Sequence, residues 1–549
     1  MSSESPTPET TTVDAVVVGG GFAGLYMIYR LRERGLNVIG IERGRDVGGT
    51  WFWNRYPGAR CDVESVDYSY SFSEELEQEW VWSERYATAP EILSYVHHVA
   101  DRFDLRKHYV LNTTVESATF DEDSARWTVR TDVGADYEAR YCIMATGCLS
   151  VPSKPELPGM EDFQGEVLHT GDWPTTPVDF SGSRVAIIGT GSSGTQLIPV
   201  VAETAGHLSV FLRTPNFCVP ANNAPLTSEY LNEVKANYPE RRAFTRSTAT
   251  GLSRDMNRVS ALTVSDEERR ATYEENWKTA GFGFILSFND LLASPEANAT
   301  AVEFLNSKAR DLIEDPTVAA KLTATNYPFG SKRPCVDSGF YQTFNRANVS
   351  LVDVKEEPIE RLTARGIRTS QDEYAFDKIV FATGFEAMTG ALNRIDIVGR
   401  NGITLRDRWT EGPATYLGLA VSEFPNLFMI TGPGSPSVLS NVLVSIEQHV
   451  GFIDDMLAYA DDQGARTVEA DEAAQHEWSE HVQDLAYSTL YPYGNSWYLA
   501  PQGPSGGRRV FMPYTGGLRA YRRKCAEVAE SGYTGFSITA KEKAAQPLA

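Results

Sequence analysis

Cysteine is scarce and scattered in this chain, with six residues in 549 (Cys61, Cys142, Cys148, Cys218, Cys335 and Cys525) and no two of them spaced as CxxC. That excludes the redox dithiol of a disulfide reductase and reads as buried, reduced thiols in a cytoplasmic protein. Long apolar runs are missing too: none reaches the roughly 18 residues that a membrane span needs. Positive charge is in the minority, 50 Lys and Arg against 73 Asp and Glu, for a net charge of −23. Such an acidic surface argues against nucleic acid or an anionic membrane as partner, while leaving room for a local basic pocket. Residues Met1 to Thr12 have neither the apolar core nor the basic start of a secretory signal and read as a disordered tail. No low-complexity segment, solenoid repeat or metal-ligand set is visible inside the chain.

Glycine is what the chain has in the places that matter. Gly19-Gly20-Gly21-Phe22-Ala23-Gly24 follows the apolar run Ala15 to Val18, and Gly189-Thr190-Gly191-Ser192-Ser193-Gly194 follows Val185 to Ile188. The first run reads as a strand over 14–18, a helix over 22–33, a turn at Gly35 and a second strand over 36–42. This is a βαβ unit of about 30 residues ending in an acid. Glu42 stands 18 residues after Gly24, where a carboxylate accepts hydrogen bonds from both ribose hydroxyls of an FAD adenosine. Arg213 stands 19 residues after Gly194, in the place of that acid, and a cation there suits the 2′-phosphate of NADPH. Two dinucleotide sites with opposite charge choices point to two nucleotides held for electron exchange.

The expected fold is α/β, with two Rossmann-like dinucleotide-binding domains, one for FAD and one for NADP, and an α-helical insertion. Alternation over 112–140 predicts an antiparallel insertion before the run Tyr141 to Gly147 returns to the first sheet. The second unit, 184–213, regains its late strand far downstream at Lys378 to Gly384, so an Ala-Thr-Gly ending closes both units. From 226 to 321 the periodicity is helical, and Ser265-Asp266-Glu267-Glu268 forms a capping box opening a helix through Trp277. A further helix is predicted over 446–460. The expected organisation is a tail at 1–12, an FAD domain at 13–150 and 386–540, and an NADP domain at 151–225 and 322–385. A helical insertion at 226–321 and a C-terminal tail at 541–549 complete it.

Between the fingerprints lies Phe163-Gln164-Gly165-Glu166-Val167-Leu168-His169-Thr170-Gly171-Asp172-Trp173-Pro174, and after the first unit comes Gly48-Gly49-Thr50-Trp51-Phe52-Trp53-Asn54-Arg55-Tyr56-Pro57-Gly58-Ala59-Arg60-Cys61-Asp62. These segments resemble two signatures, F-x-G-x-x-x-H-x-x-x-W-P and G-G-x-W-x-x-x-x-Y-P-G-x-x-x-D, of the type I Baeyer–Villiger monooxygenases. The likeness runs from about 14 to 536. It is nearest to the phenylacetone and steroid monooxygenase branch, through the passages 53–65, 190–194, 328–334, 344–353, 432–450 and 495–498.

The resemblance implies FAD, NADPH and dioxygen, and conversion of a ketone to an ester or lactone through a C4a-peroxyflavin and a Criegee adduct. It implies that Arg333 stabilises those anions while Asp62 holds it in place. An FAD set of Gly19, Gly21, Phe22, Ala23, Gly24, Glu42, Gly49, Thr50, Trp51, Trp53, Asp62, Tyr68, Val115 and Val442 follows from it. So does an NADP set of Arg60, Gly189, Thr190, Gly191, Ser192, Ser193, Gly194, Arg213, Thr214, Lys332, Arg333 and Trp497, the last on a loop that covers NADP⁺. Cys148, Ser437, Val438 and Leu439 are implied at the ketone pocket. Phe163, Gly165, His169, Trp173 and Pro174 are read as structural, with His169 an anchor of the linker rather than a general base. The expected partners are a small ketone and oxygen, and the expected assembly is a monomer or homodimer. The competing readings are a nitrogen- or sulfur-oxygenating flavin monooxygenase, which lacks the Trp-Pro ending, and an NADPH oxidase or redox flavoprotein.

Overall fold

Apolar runs flanked by glycine turns make the central strands of two sheets, as expected for strands buried on both faces. The computed structural model describes residues 10–540 apart from 280 and 324, so the predicted tail at 541–549 and the first nine residues lie outside the described part. The first sheet is centred on Thr10–Val18, whose residues Ala15, Val16 and Val17 are wholly buried. It has Val38–Ile41 and then Tyr109–Val110 on one side, in parallel. On the other side lie Asp136–Met144, Arg126–Thr131, Val115–Asp121 and Asp396–Val398.

Two details depart from expectation. Thr10, Thr11 and Thr12 are not tail: they pair with Asp136, Tyr137 and Glu138, because β-branched residues suit an edge extension of a strand already in register. The alternating segment is also not an insertion. It is a meander whose last strand, Asp136–Met144, is itself the main-sheet strand. The outer neighbour of that strand changes part-way, from Arg126–Thr131 over 136–139 to the parallel strand Leu427–Met429 over 142–144.

The second sheet is all parallel, in the order Val349–Asp353, His207–Leu212, Arg184–Ile188, Lys378–Phe381, Glu166–His169. Between its segments the chain leaves as helices Ser228–Ala236, Tyr238–Ser247, Asp266–Thr279, Pro295–Leu312 and Pro316–Thr323. The capping box forms reciprocally: Ser265 N–H donates to Glu268 Oε2 at 3.0 Å, and Glu268 N–H donates to Ser265 Oγ at 3.2 Å. These helices share an aromatic core around Tyr273, Phe284, Phe304 and Phe329. They are tied to the first unit by ion pairs of Arg241 with Asp67 and of buried Arg242 with Glu77, each at 2.6 Å. The helix predicted over 446–460 is the middle of Val442–Asp462.

Candidate active site

Both glycine fingerprints fold into the same strand–turn–helix geometry. Gly19 and Gly189 take φ of +113° and +112°, a region closed to side chains, and a Cβ on either would lie 2.4 or 2.5 Å from the carbonyl oxygen of Ala145 or Ala382. The Ala-Thr-Gly endings therefore serve as the floor against which each phosphate turn is pressed. Behind the turn, a Cβ on Gly24 would stand 1.9 Å from Gly19 O, and one on Gly194 would stand 2.2 Å from Gly189 O. The two helices that follow, Phe22–Glu33 and Ser192–Thr204, have glycine N-caps, no side-chain cap and no acid in the first turn. Their leading N–H groups are thus left for an anion, which is what a pyrophosphate requires.

Both turns open into one cavity of about 1160 Å3 that runs across the two sheets. Single small-ligand sites run about 300–1,000 Å3, so this space suits more than one bound molecule. At the first end, Glu42 is buried and held by Gly20 N–H at 2.6 Å and Gly44 N–H at 2.7 Å. Each carboxylate oxygen keeps a lone pair for a ribose hydroxyl. At the other end, Arg213 is exposed, and Lys332 lies with its Nζ 4.5 Å from the centroid of the Tyr327 ring. Burial pushes the Lys332 ammonium pKa down, and the nearby charges of Arg213 and Lys355 push it further. None of these three cations is ion-paired with an acid among the described residues, which leaves an anion site fit for a nucleotide 2′-phosphate. Lys355 was not singled out from the sequence; its one signal was its place just past Val349–Asp353, the strand beside the one that ends at Leu212.

Where the two halves meet sits Arg333. Its Nε and Nη2 donate to the two oxygens of Asp62 at 2.6 and 2.9 Å, and its Nη1 donates to Val438 O at 2.6 Å. The Phe282 ring lies 4.5 Å from its guanidinium carbon. The Asp62 carboxylate holds the guanidinium pKa far above its ordinary value despite burial. Trp51 donates to Tyr68 OH at 3.2 Å in the same wall. The Trp497 ring lies tilted against that of Tyr498 with 4.4 Å between centroids, and Tyr498 is a buried phenol whose pKa burial pushes up to about 12.

Most of the residues expected at the site line this cavity. Gly19, Gly21, Phe22, Ala23, Glu42, Gly49, Thr50, Trp51, Trp53, Asp62, Tyr68, Val115 and Val442 do so toward the first turn. Arg60, Gly189, Thr190, Gly191, Ser192, Ser193, Arg213, Thr214, Lys332, Arg333 and Trp497 do so toward the second. Gly24 and Gly194 lie behind the turns. Of the four ketone-pocket candidates, Cys148 and Val438 line the cavity, whereas Ser437 and Leu439 do not. Ser437 is fully buried, its hydroxyl 2.9 Å from Cys148 Sγ, and Leu439 packs beside Tyr498 and Phe511.

The linker signature packs within the second unit, with Trp173 reaching across to the first. Gly171 N–H donates to His169 Nδ1 at 3.0 Å, so the proton is on Nε2, which donates to Ser153 O at 3.3 Å. Burial pushes the His169 pKa down and keeps it neutral. A Cβ on Gly165 would meet Asp377 O at 2.5 Å and the Phe163 ring at 2.4 Å, and buried Trp173 packs edge-on to Tyr56. Gln196, which the sequence did not flag, joins the halves: its Oε1 accepts from Tyr56 OH at 2.8 Å and its Nε2 donates to Arg60 O at 3.0 Å.

A turn–helix pair for each of two dinucleotides, with one cavity between, defines a flavin- and pyridine-nucleotide-dependent oxidoreductase. Residues 16–300 match the family model of the pyridine nucleotide-disulphide oxidoreductases. Over 96–98% of its length the chain is 41% identical to each of three proteins. These are the 2-oxo-Δ3-4,5,5-trimethylcyclopentenylacetyl-CoA monooxygenase of Pseudomonas putida (100% of that protein covered), the phenazine N-monooxygenase PhzNO1 of Lysobacter antibioticus (98%) and a Baeyer–Villiger monooxygenase of Pseudooceanicola batsensis (98%). Among solved structures, an oxidised steroid monooxygenase bound to NADP is 51% identical with a TM-score of 0.93, covering 96% of this chain and 100% of that one. OTEMO in complex with FAD and NADP is 40% identical with a TM-score of 0.93, covering 97% and 100%. The chain belongs to the Baeyer–Villiger monooxygenase family, and its cofactors are FAD and NADP(H).

Proposed function

We propose that this protein uses NADPH and dioxygen to convert ketones to esters or lactones, and that Arg333 and Asp62 are its catalytic pair. The observation that carries this reading is a permanently charged guanidinium fixed at the junction of the two nucleotide halves. When bound, the flavin supplies the reduced oxygen that is inserted beside the carbonyl. The chain's own part is electrostatic. Of the five N–H donors of Arg333, three are used by Asp62 and Val438 O, leaving two for a ligand in the cavity it lines. Those two suit the negative charge that builds on a carbonyl oxygen as its carbon is attacked, and a guanidinium meets that charge without giving up a proton. Asp62 removes the rotamer freedom of Arg333, so no reorganisation is needed when the charge appears. Trp497, which lines the cavity and is backed by buried Tyr498, covers the nucleotide side and keeps water from it. We read 13–150 with 386–540 as the FAD unit, 151–225 with 322–385 as the NADP unit and 226–321 as the helical insertion. The supporting observation is that each sheet draws its strands from those segments.

The similarity to a phenazine N-monooxygenase favours a second reading, oxygenation of nitrogen or sulfur. One experiment separates the two: purified protein with FAD and NADPH under ¹⁸O₂, offered phenylacetone, cyclohexanone, a large cyclic ketone, progesterone, a thioether and a phenazine. Labelled ester or lactone is expected. Label confined to the thioether or phenazine overturns the ketone reading. Arg333→Ala is expected to keep NADPH-driven flavin reduction and to lower ester formation by about 10²–10³-fold or more, and an undiminished ester yield removes Arg333 from the reaction. No helix among the described residues is long and apolar enough to cross a membrane. That and six free cysteines support a cytoplasmic enzyme, and the surface charge of −23 supports a monomer or homodimer.

A further inference from the structure

Two of the cysteines are not isolated from each other. Cys218 opens the short strand Cys218–Pro220 and Cys335 opens Cys335–Asp337; these strands pair in parallel with Cys218 directly opposite Cys335. In keeping with that register, Cys335 N–H donates to Phe217 O at 2.9 Å. Neighbouring strands lie about 4.7–4.9 Å apart, inside the Cα separation of about 4.4–6.8 Å that a disulfide spans. Cys335 Sγ also touches Ser192 Oγ at 3.8 Å, in the first turn of the second nucleotide helix, and Ser192 lines the large cavity. Both sulfurs are thus buried one residue behind the wall of the site.

We propose that Cys218 and Cys335 form a reversible disulfide in response to hydrogen peroxide and so act as an oxidation brake on the enzyme. The peroxide is the product expected when NADPH oxidation and oxygen insertion come uncoupled; this source of oxidant rests on the monooxygenase reading. Cys335 is the attacking sulfur. The neighbouring Cys218 thiol, and after it polar neighbours that include Ser192, pull its pKa below the ordinary thiol value in spite of burial, whereas burial pushes Cys218 well above it. The Cys335 thiolate takes one oxygen from hydrogen peroxide, giving a sulfenic acid and, with one proton, water. The Cys218 thiol then displaces that oxygen as a second water, forming the S–S bond. Two thiols lose two electrons and two protons in all, and one peroxide becomes two waters.

The brake works through position. Cys335 lies two residues beyond Arg333 and three beyond Lys332, and Cys218 lies five beyond Arg213. Turning Cys335 Sγ toward Cys218 withdraws it from Ser192 and moves the strand ends that carry those cations. Oxidation is therefore expected to raise the KM for NADPH and lower ester formation, without loss of FAD.

The test uses the FAD-loaded protein, treated with added hydrogen peroxide in the absence of NADPH, then denatured, alkylated and mapped by mass spectrometry. A peptide joining 218 to 335, appearing in step with loss of activity and reversed by dithiothreitol, is the expected result. Cys218→Ser is expected to keep the untreated activity and, lacking the resolving thiol, to give no joined peptide and to leave a Cys335 sulfenic acid that dimedone traps. If both cysteines stay alkylatable in inactivated enzyme, or the peroxide-treated Cys218→Ser protein carries no dimedone adduct at Cys335, the brake is overturned. Should that variant not fold, mapping of the unaltered protein decides alone. Because peroxide is supplied, the mapping answers independently of whether ketones are the substrates.

Discussion

The two phosphate turns open alike, with φ at their first glycines differing by 1°, yet their far ends are built in opposite ways. The acid at the first end is buried and held by two backbone N–H groups before any ligand arrives. The cation at the second end is exposed, makes no ion pair among the described residues and, with Lys355, lies close enough to Lys332 to lower that ammonium's pKa. A resident cofactor benefits from a preorganised site, which keeps it between turnovers. A nucleotide that must arrive and leave each cycle is better served by a field that attracts its phosphate and a contact that water can compete for.

The sharpest way to break the likeness is to fill the same space twice. Gly24→Ala sets a Cβ 1.9 Å from Gly19 O and should cost about 3 kcal/mol or more, yielding protein stripped of FAD. Gly194→Ala, with its contact at 2.2 Å, should instead leave flavin absorbance intact while NADPH no longer reduces it. Flavin content by absorbance, and anaerobic reduction by NADPH, read the two apart. The charge difference is tested next. Arg213→Ala should lower kcat/KM for NADPH by about 10–100-fold, the range of one lost charge-assisted hydrogen bond, while NADH is affected less than about two-fold. Equal losses for both nucleotides would show that Arg213 does not read the 2′-phosphate.

The smallest effect is a pH dependence. The Lys332 pKa is lowered by burial and by its two cationic neighbours, and it is the charged form that holds phosphate. Its contribution is present below that lowered pKa and lost as pH rises through it, so KM for NADPH should climb on the alkaline side earlier than an ordinary lysine would dictate. Lys332→Arg should flatten that climb.

The sequence was most legible where backbone sterics dictate residue type. The helix at 22–33, the buried acid at 42 and the capping box at 265 were readable because each position admits few residues. The α/β fold with two nucleotide units followed from the same glycines. Thr10 to Thr12 were misread because a Ser/Thr/Pro/Glu-rich lead-in hides the three threonines that pair in the sheet. The meander was misread because local alternation does not show that one strand changes its outer neighbour part-way. Gln196 and Lys355 were invisible for a related reason. Gln196 works through partners 136 and 140 residues away, and Lys355 through a cation cluster that only the folded chain brings together. Ser437 and Leu439, adjacent to Val438, share a single 3₁₀ turn, and a turn that tight sends neighbouring side chains in different directions.

The second sheet has a consequence for the order in which the protein is made. Its central strand Arg184–Ile188 is flanked on one side by Lys378–Phe381, which leaves the ribosome roughly 190 residues later. At about 5–20 residues per second, Val185 to Ile188 present an open, apolar strand edge for on the order of 10–40 s during synthesis. The helices of 228–323 are translated in that interval, and they are the first structure available to shelter the edge. A synonymous change that slows translation across 228–323 should therefore lower the yield of folded protein more than the same delay placed after residue 381.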